Sequence, residues 1–179
     1  MKTILILTFL SVLFVEKTFG QSKMIVGTKH TVFVEIPKNW LPAENEQLPF
    51  FIKPNKKNVS NETYMYVYGI DYNGKTDLSD WVKSNNDYIS DKFEGVKIDT
   101  LNQAFENIQA DNYLTGNYIT ITYEYPTGRN EVILVIECKS SIVTAVLSSK
   151  NKKELKSLLP AFIDLSKSIK VLGTTLKAE

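Results

Sequence analysis

Apolar and polar residues alternate with period two from Thr31 to Ile36, placing Val32, Val34 and Ile36 on one face and Thr31, Phe33 and Glu35 on the other. That is the pattern of a half-buried strand. Pro37 ends it, and the stretch to Pro49 reads as a loop pinned by Trp40 and Leu41 after a polar leader that precedes Lys29. Phe50 to Lys53 is a second short strand closed by Pro54, and Asn55 to Glu62 is a polar, turn-forming surface segment. Thr63 to Ile70, rich in Tyr and Val, is a third strand that ends at Asp71-Tyr72-Asn73-Gly74.

The period then changes. From Leu78 onward, Trp81, Val82, Tyr88, Ile89 and Phe93 recur at helical spacings and gather into one apolar stripe. Asp77 is a good N-cap because its carboxylate can accept the free amides of the first turn, and Gly95 supplies a stop. Val96-Lys97-Ile98 begins as a strand does, but residues 96–114 as a whole carry no clean period, so a bulged strand and a short helix both remain open.

A three-stranded meander follows. Ile119, Ile121, Tyr123 and Tyr125 alternate with Thr120, Thr122 and Glu124, residues 126–130 turn, residues 131–139 return, and residues 142–148 follow the Ser140-Ser141 turn. The middle strand is apolar at every position from Val132 to Ile136, as expected of a strand central in its sheet and covered on both faces. A last helix runs from about Asn151 to Ser168 with Leu155, Leu158, Leu159, Phe162 and Ile163 on its apolar side. Lysines at 150, 152, 153 and 156 oppose its dipole, and Pro160 clashes with the Lys156 carbonyl. A kink near Lys156, or a start nearer Leu158, is therefore expected, with a loose tail after Gly173.

The N-terminal pattern changes where the chain is expected to work. Met1-Lys2, an apolar run from Ile4 to Val15, and a more polar segment ending Thr18-Phe19-Gly20 follow the order of a secretory signal peptide, cut before Gln21. The run is shorter than a bilayer span. Residues 1–20 are thus read as a signal peptide and 21–179 as a single domain, secreted or periplasmic, with no integral membrane segment after signal removal. The only cysteine, Cys138, is far from position 21, so the chain is not read as a lipoprotein. Strand alternation puts Cys138 on the face of Val132, Leu134 and Ile136, which makes it a core residue.

The full chain holds 21 Lys+Arg and 20 Asp+Glu; without Lys2, Lys17 and Glu16 the balance is 19 against 19. A neutral domain lacks the basic stripe that nucleic acid requires, so no nucleic-acid partner is expected.

The segments Val34-Glu35-Ile36-Pro37-x-x-Trp40 and Pro160-x-Phe162-Ile163-x-x-x-x-Ser168-Ile169 bracket this pattern. It resembles the PsbP-like fold shared by the extrinsic photosystem protein of that name, a nuclear-import factor that binds the Ran GTPase, and exported bacterial proteins. The resemblance implies an α+β domain, a PsbP-like α/β sandwich with a central, mainly antiparallel sheet of about six or seven strands flanked by helices. It implies action by binding and not by turnover, and transfers no functional residue.

Candidate chemistry is sparse. The only histidine, His30, is expected at an exposed strand edge, which excludes paired-His metal sites. Asp71, Asn73, Asp77 and Asp80 surround Gly74, but the glycine is fourth and Val82 is twelfth, so an EF-hand loop fails and turn plus helix cap explains them. Tyr64, Tyr66 and Tyr68 share one face of the third strand, either as sheet packing or as a platform that stacks sugars or grips a partner. The lysines at 150–156 are read as a solvated helix end. Asn58-Val59-Ser60 and Asn61-Glu62-Thr63 fit the glycosylation pattern and agree with a surface loop.

These readings point to a monomeric, non-enzymatic binding or accessory module, without cofactor or metal, recognising another protein or an envelope component. The alternatives are a carboxylate-dependent hydrolase of envelope polymers and a carrier of a small apolar ligand.

Overall fold

The structure is a computed structural model that describes residues 21–57 and 59–174. The expected signal peptide, Asn58 and most of the expected loose tail lie outside the described residues. The chain runs through β1 (Ser22–Val26), β2 (His30–Glu35), β3 (Trp40–Pro42), β4 (Phe50–Pro54), β5 (Tyr64–Asp71), α1 (Leu78–Lys92) and β6 (Lys97–Thr100). It continues through β7 (Leu114–Glu124), β8 (Asn130–Cys138), β9 (Ser141–Ser149), α2 (Lys152–Ser168) and β10 (Lys170–Gly173).

The strands form a seven-stranded sheet in the order β3-β4-β5-β9-β8-β7-β6 and a three-stranded sheet in the order β1-β2-β10. Every pairing is antiparallel. The unbroken apolar run in β8 has its expected place, between β7 and β9 with all nine residues buried.

One face of the large sheet carries the main core. Val132, Leu134, Ile136 and Cys138 of β8 meet Leu158, Phe162 and Leu165 of α2, and Val32 of β2 and Val171 of β10 from the small sheet. The other face, with Ile121, Ile133, Val135 and Val146, meets the stripe of α1. Two hydrogen bonds tie α1 down: Asn85 Nδ2 donates to the Tyr123 hydroxyl at 2.8 Å, and that hydroxyl donates to Asn86 Oδ1 at 2.6 Å.

Several local expectations are corrected. The polar leader contains β1, which has little alternation to read because only Ile25 of its five residues is buried. The loop after Pro37 contains the short edge strand β3, paired with β4. The strand expected from Thr31 to Ile36 is present as β2 and lies in the small second sheet, with β10 folding back on it after α2. Within residues 96–114 the chain forms β6 and then irregular backbone leading into β7, whose register shifts between Leu114 and Tyr118 around Gly116 at φ 85°.

Helix α2 starts at Lys152, not near Leu158, because Asn151 caps it by accepting the Glu154 amide at 2.9 Å. Pro160 lies inside the helix at an exposed position, where water can reach the Lys156 carbonyl that loses its amide donor.

Candidate functional site

Alternation along β5 sends Met65 and Val67 fully into the core and leaves Tyr64, Tyr66 and Tyr68 half-buried on the α1 side of the sheet. Phe51 of β4, paired with Tyr66, extends the row. Ring centroids are separated by 5.1 Å from Phe51 to Tyr64, 6.1 Å from Tyr64 to Tyr66 and 5.9 Å from Tyr66 to Tyr68. Lys53 lies 5.8 Å from the Phe51 centroid. The structure thus brings together the three tyrosines expected to share a face and makes them one continuous aromatic row.

On β9, the residues opposite Tyr64 and Tyr68 are Ser148 and Thr144. Both hydroxyls are buried, and that of Ser148 has no hydrogen-bond partner among the described residues. Burial pushes the Tyr66 hydroxyl far above the ordinary tyrosine value, with a further push from the nearby Glu131 carboxylate. Burial also raises Tyr68. Glu131 is itself buried and accepts a hydrogen bond from the Tyr125 hydroxyl at 2.7 Å.

The α1 stripe does not sink into the sheet. None of its residues is buried, and Tyr88, seven positions after Trp81 and so on nearly the same side of the helix, is 57% exposed. A groove of about 500 Å³ therefore remains between the helix and the Tyr68 end of the row, with Trp81, Ser84, Asn85 and Tyr88 from α1 and Tyr68, Ile70 and Tyr72 from β5 and its following turn. Lys75, Asp77 and Asp80 complete the lining. Trp81 and Tyr88 were legible only as helix core; a half-covered aromatic stripe is visible only once the helix is seated.

Asp77 caps α1 as expected, its Oδ1 accepting the Ser79 amide at 2.9 Å and the Asp80 amide at 3.1 Å. A second support is the buried Glu137 of β8. Its Oε1 accepts the Leu78 amide at 3.0 Å, and its Oε2 accepts from Thr115 Oγ1 and Asn117 Nδ2, each at 2.8 Å. The wall of the groove is thus hydrogen-bonded to the sheet at its first turn.

Asp71 does not join Asp77 and Asp80. Its Oδ2 accepts the Thr28 and Lys29 amides at 2.7 and 3.0 Å, and its Oδ1 accepts from His30 Nδ1 at 2.6 Å. His30 is 2% exposed, which corrects the expectation of an exposed edge residue. It is buried because Gly27 and Gly69 lack side chains; a Cβ at either position would run into the imidazole ring. Because the carboxylate can only accept, Nδ1 carries the proton.

Cys138 is buried in the core as alternation required, and burial pushes its thiol up to about 11. The lysines at 150, 152, 153 and 156 are exposed at the start of α2, where Lys152 meets Glu124 at 2.7 Å. Asn61 is exposed, as a surface loop requires.

No family model matches the chain, and no curated protein matches it. A solved structure does: cyanobacterial PsbP (CyanoP) from Synechocystis sp. PCC 6803 superposes with a TM-score of 0.55 at 12% identity, over 85% of this chain and 92% of that one. The fold expected from the opening strand-Pro-Trp segment and the closing helix is therefore the one found: this chain has a PsbP-like α+β fold.

Proposed function

We propose that this chain is an exported, non-enzymatic binding module that recognises another protein or an envelope component through the β5 tyrosine row and the groove beside α1. The observation that carries this reading is the half-buried row Tyr64-Tyr66-Tyr68, met at the groove by the exposed Tyr88, on a sheet face that α1 leaves partly open. Exposed aromatic area of this kind is characteristic of contact surfaces, because ring faces give large contact at small entropic cost.

Other observations favour binding over turnover. The one histidine is enclosed and bonded to Asp71, the one thiol is held neutral, and Asp77 is occupied by backbone amides. The export part of the proposal rests on the order of charged, apolar and small residues in positions 1–20. Among the described residues no helix is long and apolar enough to cross a membrane.

The test is affinity capture from native envelope material with residues 21–179, run beside a Tyr64→Ala/Tyr68→Ala variant. A component retained by the first and lost by the second is the expected result. Polymer cleavage that disappears in Asp77→Asn or Asp80→Asn, with no retained component, would establish the hydrolase instead.

A further inference from the structure

We infer that the occupant of the aromatic row and groove is an extended, uncharged oligosaccharide chain, an inference that rests on the binding-module reading above. Length is the first argument. Tyr64 to Ile70 spans six residue steps of β5, about 20 Å at strand rise, so the track suits a chain of rings better than a single small molecule.

Charge is the second argument. The row has Lys53 at its outer side and the buried Glu131 near Tyr66, and the groove is lined by Lys75, Asp77 and Asp80, with Lys92 over the Tyr88 ring, so single charges of both signs are scattered along it. Asp77 Oδ1 already accepts two backbone amides. A polyanion finds no cluster of cations here, and a strongly cationic ligand finds few free carboxylates, so complementarity selects a ligand without net charge.

The third argument separates a sugar from a peptide. An extended peptide gains affinity by pairing its main chain with an open strand edge. On this face β9 is paired on both sides, and β5 is paired with β9 along its whole length and with β4 over Met65–Val67, so the open backbone edge is only the short stretch Tyr68–Asp71 and the rest of the track presents side chains. What those side chains offer is the rings of Tyr68, Tyr72, Trp81 and Tyr88, the last with Lys92 Nζ 5.3 Å from its centroid, flanked by the hydroxyl of Ser84 and the amide oxygen of Asn85, whose nitrogen already donates to Tyr123. A pyranose matches both, with C–H groups on its faces and hydroxyls around its rim.

The experiment uses residues 21–179 and three neutral probes of two to six units: β-1,4-linked glucose, α-1,4-linked glucose and β-1,4-linked N-acetylglucosamine. Saturation-transfer NMR and calorimetry are run at low and high salt. One probe series is expected to bind, the hexamer about tenfold more tightly than the dimer, with little salt dependence. Tyr68→Ala and Tyr88→Ala are each expected to weaken the hexamer by about tenfold. Tyr88 is exposed, so its variant keeps the fold even if the Tyr68 variant loses stability, which thermal melting of both reports.

Unchanged binding in both variants, or strong loss of binding in salt, overturns the inference. So does the absence of binding by all three series. In that case a component captured from the envelope and lost in Tyr64→Ala/Tyr68→Ala leaves the binding face standing with a protein as its partner. If nothing captured depends on the row, the binding-module reading falls as well.

Discussion

His30 Nδ1 lies 2.6 Å from Asp71 Oδ1, and this one contact joins the first residue of β2 in the small sheet to the last residue of β5 in the large one. Asp71 simultaneously holds the Thr28 and Lys29 amides, so a single carboxylate organises the turn between β1 and β2. Desolvation pushes its carboxyl upward, but the His30 hydrogen bond and the two amides outweigh that and hold it below the ordinary aspartate value. A lowered folded value means that the stability is fully present above the unfolded value of about 3.9 and is lost as pH falls through the folded one. Asp71→Asn is expected to cost about 1–3 kcal/mol at neutral pH and to flatten the acid limb of the stability curve below about pH 4. Urea melts at several pH values check this, and the single histidine gives one imidazole signal by NMR that shifts in the variant.

Gly69→Ala attacks the same junction by volume. The added methyl meets the His30 ring, so a loss of about 1–3 kcal/mol is expected, with recovery in the double variant Gly69→Ala/His30→Ala. A double-mutant cycle by thermal melting decides; full additivity would show that ring and glycine do not touch.

Pro160 stands in the interior of α2 on the solvent side. Proline there costs up to about 3 kcal/mol against alanine, while its restriction of the unfolded chain returns about 0.4–1 kcal/mol. Pro160→Ala is therefore expected to stabilise by about 1–2 kcal/mol, raising Tm by about 2–4 °C per kcal/mol for a domain of this size. A lower Tm would mean that the proline ring makes contacts worth more than the missing hydrogen bond.

Tyr66 and Tyr68 are raised by burial, and Tyr123 is pushed up to about 12 by burial against the opposing hydrogen bond from Asn85. Raised folded values contribute stability that is present below the unfolded value of about 10 and is lost as pH rises through the folded ones. Ultraviolet titration is expected to show part of the tyrosines ionising near pH 10 and the rest only with cooperative unfolding near or above pH 12. Complete reversible ionisation by pH 11 would contradict the burial of the row.

The Cys138 thiol, at about 11, is a thiolate at roughly one part in a thousand at pH 8. Its reaction with a disulfide reagent in the native protein is expected to be at least about a hundredfold slower than in denaturant. A fast native reaction would show that β8 opens locally.

Much of the architecture was legible from patterning, because a covered strand must be apolar where it is covered. The run Val132–Ile136 announced the central strand, and the alternation Tyr64/Met65/Tyr66/Val67 announced which β5 residues share a face. β1 and β3 were not legible, since edge strands bury few side chains and leave little periodicity. The burial of His30 is not legible for a related reason: what buries it is the absence of side chains at Gly27 and Gly69, and an absence that acts across two sheets leaves no local mark.

The order of apolar and polar residues by itself determined the central strands, the two helices and the face on which three tyrosines stand, and composition determined the neutral charge. Only the tertiary structure decided that α1 rests shallowly enough to leave a groove beside Tyr68, that Trp81 and Tyr88 line it, and that His30 clasps one sheet to the other. Local pattern records whether a residue meets water or protein in its own element. The depth at which a helix settles on a sheet depends on side chains from β7, β8 and β9 together, and no single stretch of sequence contains that sum.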